Sequence, residues 1–155
     1  MKTKVSPLML ALILAPLAFL AVIPPSDASA PAGRYTISNG TVYDTKTKLT
    51  WQQTISTTPY TWSDAQSYCT PLNLDGTAWR VPSLKELMTL VDFSVPPGSG
   101  TATVDATAFP NTPADGFWSS TPVAENSSVA WIVDFSYGRM DYRAVGANND
   151  VRCVR

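Results

Sequence analysis

The chain has two cysteines, Cys69 and Cys153, and they lie far apart in the sequence. Cys69 falls in a segment predicted to be helical, and Cys153 falls in the last predicted strand. Disulfides persist mainly in exported proteins, where an even cysteine count favours an oxidised pair. A bridge between the two would tie the last strand to the first helix and enclose most of the domain. The alternative is two separate buried thiols that act as small apolar side chains.

The N-terminal segment has the pattern of a secretory signal peptide. Lys2 and Lys4 precede an apolar run of sixteen residues over 8–23, and small residues follow it. A membrane span needs about 20 apolar residues, and Pro16 interrupts this run, so cleavage is favoured over a retained anchor. We therefore predict a signal peptide over residues 1–28 and a protein that is secreted, periplasmic or held at the cell surface.

The rest of the chain has the length of one domain. Residues 29–33 are rich in Pro, Ala and Gly and are predicted to be a disordered lead-in to a domain over 34–155. With 11 basic and 12 acidic residues, the formal net charge is −1. This balance gives no global attraction to nucleic acid or to an anionic membrane. We expect neither nucleic acid nor membrane insertion after removal of the signal, and an oligomer is possible.

The order of the hydrophobic patterns predicts an α+β domain. Thr61 and Ser83 begin two capping sequences, each followed by an apolar helical stripe. Asn39-Gly40 predicts a tight hairpin, and the proline-bearing segment 93–116 predicts a long irregular region. Predicted strands lie at 35–37, 41–43, 49–52, 117–121, 129–135, 140–145 and 151–155, and predicted helices at 62–69 and 84–91. A mostly antiparallel sheet with two grouped helices follows from this order.

The composition argues against catalysis. The chain has no histidine, which removes the usual general base at neutral pH and the commonest zinc ligand. The acidic residues are scattered, so no catalytic pair stands out. Calcium is a separate possibility at Asn148-Asn149-Asp150, but it needs six to eight oxygen ligands, and the sequence nominates too few. We expect no enzyme activity, no cofactor and no metal.

The better ligand-binding candidates lie on and just after the last predicted hairpin. Arginine and tyrosine exposed together suit recognition of a carboxylate, a sulfate or a partner protein. The alternative is an ordinary solvated strand face. The candidates are Tyr137, Arg139, Tyr142, Arg143, Asn148, Asn149 and Asp150.

Five short sequence motifs occur in order along the chain. They are Thr61-Trp62-Ser63-Asp64-Ala65 with Cys69, Trp79-Arg80-Val81-Pro82-Ser83 with Glu86-Leu87, Phe117-Trp118-Ser119-Ser120-Thr121, Val133-Asp134-Phe135 with Gly138, and Val151-Arg152-Cys153-Val154-Arg155. Together they resemble the bacterial Lcl C-terminal domain family, a module that ends a collagen-like adhesin and was formerly a domain of unknown function. The resemblance covers residues 42–155. It departs at Lys48, where the family commonly has glycine.

The resemblance implies a C-type-lectin-like fold, which characteristically bridges a cysteine of the first helix to one of the last strand, here Cys69 and Cys153. It also implies a secreted or cell-surface, adhesin-like binding module that recognises an extracellular glycan or protein. The family prototype binds sulfated glycosaminoglycans as a trimer. This chain has no collagen-like repeat, and its slight acidity weakens the sulfated-glycan inference. The alternative is a structural or assembly subunit of the cell envelope that acts through protein–protein contacts.

Overall fold

The computed structural model describes residues 30–155. The predicted signal peptide over 1–28 lies outside them. The described elements are, in chain order, β1 (Tyr35–Ser38), β2 (Thr41–Asp44), β3 (Thr50–Gln52), α1 (Trp62–Cys69), α2 (Leu84–Met88), β4 (Gly116–Val123), β5 (Asn126–Asp134) and β6 (Arg139–Ala144). None of the helices in this part of the chain is long and apolar enough to cross a membrane.

The strands form two antiparallel sheets of three strands each, in the orders β1-β2-β3 and β4-β5-β6. The turn between β1 and β2 is Asn39-Gly40, and both residues have positive φ, 49° and 75°. Two left-handed residues are what the tightest hairpin turn requires, and asparagine and glycine tolerate them best. The α+β class and this hairpin are confirmed, although the strands divide into two sheets and not one.

Both helices begin where the capping sequences predict. The Ser83 hydroxyl accepts a hydrogen bond from the Glu86 amide, and the Glu86 carboxylate accepts one from the Ser83 amide at 2.8 Å. Thr61 caps α1 by accepting from the Asp64 amide. The second helix ends at Met88, earlier than its apolar stripe predicts. Leu90 lies in a turn and Val91 in irregular chain, and both are still buried.

The hydrophobic core occupies both faces of the second sheet. Phe117 and Val133 are directly paired on β4 and β5, and they pack with Leu87 on one side. Trp118 and Ile132 are the next pair, and they pack on the other side with the two cysteines. Because neighbouring residues of a strand point to opposite faces, two clusters form from adjacent positions. The third strand, β6, is left exposed at the edge of the sheet.

The last residues do not form the regular strand that their pattern predicts. Val154 makes isolated antiparallel bridges to Trp51 and to Arg80, and Asp150 makes a parallel bridge to Phe117. The segment 149–154, which we call the terminal segment, thus contacts β3 of the first sheet and β4 of the second. It is extended, but each partner pairs with it over too short a length to make a continuous ladder.

The cysteine pair is a disulfide. Cys69 at the end of α1 and Cys153 in the terminal segment have Cα atoms 5.6 Å apart and enclose a sequence separation of 84 residues. Both residues are fully buried, and residues 30–155 contain no free cysteine. The alternative of two separate thiols is excluded.

Lys48 adopts a left-handed backbone conformation, with a φ of 65°. Its amide donates to the Asp44 carbonyl at 2.8 Å, which closes the turn between β2 and β3. Glycine reaches this region without the steric cost that a Cβ imposes. The turn therefore has the geometry for glycine, although lysine occupies it here.

We predict that replacing Cys69 and Cys153 together by alanine lowers the free energy of unfolding by about 4 kcal/mol, because a closed loop of this length restricts the unfolded chain. Urea denaturation of the oxidised protein and of the variant measures the difference. Reductant should not change the free energy of unfolding of the variant. The reduced parent should lose about as much free energy of unfolding as the variant has lost. Two equal denaturation midpoints would contradict the prediction.

We predict that Lys48→Gly raises the free energy of unfolding by about 0.5–1 kcal/mol, since it relieves the left-handed strain and keeps the turn hydrogen bond. Lys46→Gly is the matched control, because Lys46 lies in the same turn, is exposed and has no positive φ. The control should lower stability through added freedom of the unfolded chain. If both glycines destabilise equally, Lys48 is not strained.

Candidate functional site

The hairpin of β5 and β6 carries the exposed Tyr and Arg side chains. Its ladder runs from Val129 opposite Ala144 to Asp134 opposite Arg139. The connecting turn contains Gly138, whose φ is 64°. A Cβ there would lie 2.9 Å from Cγ1 of Val91, so glycine allows the turn to seat closely on the chain after α2. The turn is thus held against the domain.

Tyr137 and Arg139 form one unit at the end of this hairpin, which we call the hairpin tip. The Arg139 guanidinium lies 4.7 Å from the centre of the Tyr137 ring. The Gly98 amide donates to the Ser136 carbonyl at 2.7 Å, and Gly98 also approaches the edge of the Tyr137 ring. The ring therefore has a neighbour that fixes its position, while 49% of the Tyr137 surface remains exposed.

The guanidinium of the hairpin tip is only weakly paired. Its closest acid is Asp134, at 3.9 Å, and the Arg139 side chain is 61% exposed. An exposed pair at that distance contributes little to stability. Arg139 therefore keeps its planar set of N–H donors available, and such a fork matches a carboxylate or sulfate.

Tyr142 and Arg143 do not join the tip, although the sequence placed them together with it. Tyr142 lies opposite Trp131 across the ladder, and the two rings meet edge to face at 6.1 Å. Arg143 lies on the other face of the strand, because side chains alternate. It pairs with Asp141 at 2.7 Å.

Asp141 and Arg143 close off the free edge of the second sheet. The Val145 amide donates to the Ser128 carbonyl, so Val145 points its backbone groups at the neighbouring chain. Successive residues of an antiparallel strand point these groups alternately toward and away from the partner strand. The amide and carbonyl of Tyr142 therefore point away from β5. The Tyr142 amide donates to the Asp141 carboxylate at 2.8 Å, and the Arg143 guanidinium donates to the Tyr142 carbonyl at 3.0 Å. We call this ring the edge cap. The hydrogen bond from the Arg143 guanidinium, and after it the one from the Tyr142 amide, hold the pKa of the Asp141 carboxyl below its ordinary value.

The edge cap is a feature that the sequence analysis missed. The sequence signal for it is an acid and an arginine two positions apart on the predicted strand 140–145, which puts both side chains on one face. An edge strand is a template for another chain, and charged side chains commonly block it. Recognising the cap requires knowing that β6 is the edge strand.

The last three candidates separate into an exposed residue and two buried ones. Asn148 is exposed, whereas Asn149 and Asp150 are each only 8% exposed. Asn149 exchanges backbone hydrogen bonds with Tyr60, and the Asp150 carbonyl accepts from the Trp118 amide. The polar pattern predicts a surface loop, but long-range pairing takes Asn149 and Asp150 into the interior. They are not part of the surface that contains the hairpin tip.

The Asp150 carboxylate accepts no hydrogen bond from any residue within 30–155. Burial, together with the negative charge of Asp115, raises its pKa to about 6, and Arg152 opposes that shift. Among these described residues no group of three or more acids and cysteines is placed to hold a metal ion. Asp150 is thus a buried acid without a partner.

We predict that Asp150→Asn raises the free energy of unfolding at neutral pH by about 2 kcal/mol, because the folded-state pKa lies above the unfolded value. At about pH 4, where the carboxyl is protonated in the folded protein, the gain should be small. It should grow as the pH rises through the folded pKa of about 6. Urea denaturation across this range, with Glu125→Gln as an exposed control, checks it. A gain independent of pH would contradict the prediction.

The comparison with protein families agrees with the resemblance seen in the sequence motifs. The profile of the Lcl C-terminal domain matches residues 40–155. The matched segment contains both cysteines, both helices, the hairpin tip and the terminal segment. The C-type-lectin-like assignment of the fold stays a prediction from the resemblance. None of the curated proteins compared with the chain matches it. Since the profile spans most of the sequence, the chain belongs to the Lcl C-terminal domain family.

Proposed function

We propose that this protein is an extracellular, adhesin-like binding module that recognises a glycan or protein ligand through the hairpin tip. The observation that carries the proposal is the exposed stack of Tyr137 and Arg139 on a fixed turn. Positioned aromatic and arginine side chains dominate many binding surfaces. Because the turn is already seated, little conformational freedom is lost on binding.

The chemistry of the hairpin tip suggests an anionic ligand. The guanidinium of Arg139 can donate two parallel hydrogen bonds to a carboxylate or sulfate. The Tyr137 ring offers an adjacent apolar surface, against which a sugar ring or an aliphatic group can pack. We therefore propose a uronic or sulfated glycan, or an acidic protein segment, as the ligand class.

An extracellular location is supported by two features. The buried disulfide of Cys69 and Cys153 is of the kind that persists in oxidising compartments. The second feature is membership of the Lcl C-terminal domain family, since the resemblance to that family implies an adhesin-like module. The predicted leader over residues 1–28 agrees with both. We propose that the protein works outside the cytoplasm, at the cell surface or in the secreted fraction.

We also propose that the module is not an enzyme. The chain has no histidine, and both of its cysteines are bonded to each other. The common nucleophile pairs, Ser with His and Cys with His, are therefore ruled out by composition and bonding. Binding without turnover is the simpler activity for the remaining groups.

A structural or assembly role in the cell envelope is the second candidate. Phe93 is 78% exposed, and Met140 is 57% exposed. Large apolar side chains on a surface are typical of protein–protein contacts. A stable oligomer in solution that dissociates with Phe93→Ser would favour this role. A monomer that binds ligand would favour the first.

We predict that Arg139→Ala weakens ligand binding about tenfold or more, since a charge-assisted hydrogen bond pair is lost. Glycan and extracellular-protein arrays probed with the wild type would identify the ligand, and titrations of both proteins would give the ratio. Lys46→Ala is the control, because it removes an equal charge from an exposed turn elsewhere. Equal affinity of Arg139→Ala and wild type would rule out the hairpin tip.

A further inference from the structure

A cleft of about 250 Å³ lies beside the terminal segment, away from the β5–β6 hairpin. Its walls come from the chain after β3 and from the proline-bearing segment that precedes β4. The residues that line it are Thr54, Ile55, Ser56, Thr57, Pro110, Asn111, Pro113 and Asp150. Asp150 is the only charged residue among those that line the cleft.

The carboxylate of Asp150 is unpaired in this cleft. Asp150 as a residue is 8% exposed, and no residue within 30–155 donates a hydrogen bond to its carboxylate. The nearby guanidinium of Arg152 bonds instead to the carbonyls of Gln52 and Gln53 and to the Thr112 hydroxyl. No ion pair joins Asp150 to an arginine or lysine of the described chain. A buried charge without a partner is unfavourable for folding.

The electrostatic field at the cleft favours a cation. Asp115 adds a second negative charge that acts on Asp150, and burial makes the local field stronger than it would be in water. The charge of Arg152 opposes this, but its N–H donors are largely occupied. Buried charges are normally paired with another group of the protein. A position where such a partner is lacking is often a functional site.

We propose that this cleft binds a protonated primary amine on a short aliphatic stem, such as a lysine side chain, with its ammonium group on the Asp150 carboxylate. Ile55, Pro110 and Pro113 provide an apolar wall for the stem. The hydroxyls of Thr54 and Thr57, which bond to no other residue of 30–155, are acceptors for the remaining N–H groups.

The donor set suits an amine better than a metal ion. Calcium requires six to eight oxygens, and this cleft offers one carboxylate. An ammonium group has three N–H donors, which one carboxylate and two hydroxyls can satisfy. An anionic ligand is disfavoured by Asp150 and Asp115. The site is separate from the hairpin tip and does not depend on the function proposed for it.

The test uses the full exported chain and the probe Nα-acetyl-lysine N-methylamide, titrated while NMR follows the backbone amides of 54–57 and 110–113. We expect saturable shifts confined to these segments. Asp150→Asn should weaken binding about tenfold or more, since the charged acceptor is lost. Glu125→Gln removes an exposed charge elsewhere and should bind like wild type. Arg139→Ala should also retain binding, which separates this site from the tip.

The same titration with the Nε-acetylated probe, which has no charge on its stem, should give no saturable shifts. Equal binding of the acetylated and free probes would overturn the proposal, and so would equal binding by Asp150→Asn and Glu125→Gln. Calcium that competes with the amine at the same amides would also overturn it. An absence of shifts with the free amine would overturn the proposal as well, because water alone would then occupy the cleft. The melting temperature and the intact disulfide of each variant confirm that it is folded.

Discussion

The structure depends on how its terminal segment is held. The disulfide fixes Cys153 to the end of α1, and Val154 bridges both β3 and the chain at Arg80. Next to these contacts, the fully buried Arg152 donates to the carbonyls of Gln52 and Gln53 at the end of β3 and lies over the Phe109 ring at 4.6 Å. Each contact joins residues that are distant in sequence. Together they connect the two sheets, which share no continuous ladder.

Burying Arg152 is unfavourable unless its donors are satisfied, and burial lowers the pKa of its guanidinium. Three hydrogen bonds compensate for most of the hydration that the guanidinium loses on burial. The Nε donor, however, has no partner among residues 30–155. The buried arginine is therefore weak evidence for stability. Its three hydrogen bonds are made in the register that also brings Asp150 to the cleft and Cys153 to Cys69.

Features governed by local chemistry were predictable from the sequence. The N-cap at Thr61, the capping box at Ser83 and the Asn39-Gly40 turn follow from neighbouring residues alone, and the structure contains all three. Within the site, Tyr137 and Arg139 meet because they lie on either side of Gly138 in one tight turn. The burial of Asn149 and Asp150 was not predictable, since their partners at Tyr60 and Phe117 are long-range. The early end of α2 likewise reflects tertiary packing and not periodicity.

The edge cap has a consequence for how copies of this domain behave when crowded. The unpaired amides and carbonyls of an exposed edge strand can normally form hydrogen bonds with an extended segment of another chain. Here the Asp141 and Arg143 side chains already occupy the two groups of Tyr142 in the middle of β6. To pair with β6 at this point, a neighbouring molecule must first break the hydrogen bonds of the edge cap and desolvate the charges of Asp141 and Arg143. At Tyr142 the edge cap therefore disfavours pairing between the β6 strands of neighbouring copies, even at high local concentration.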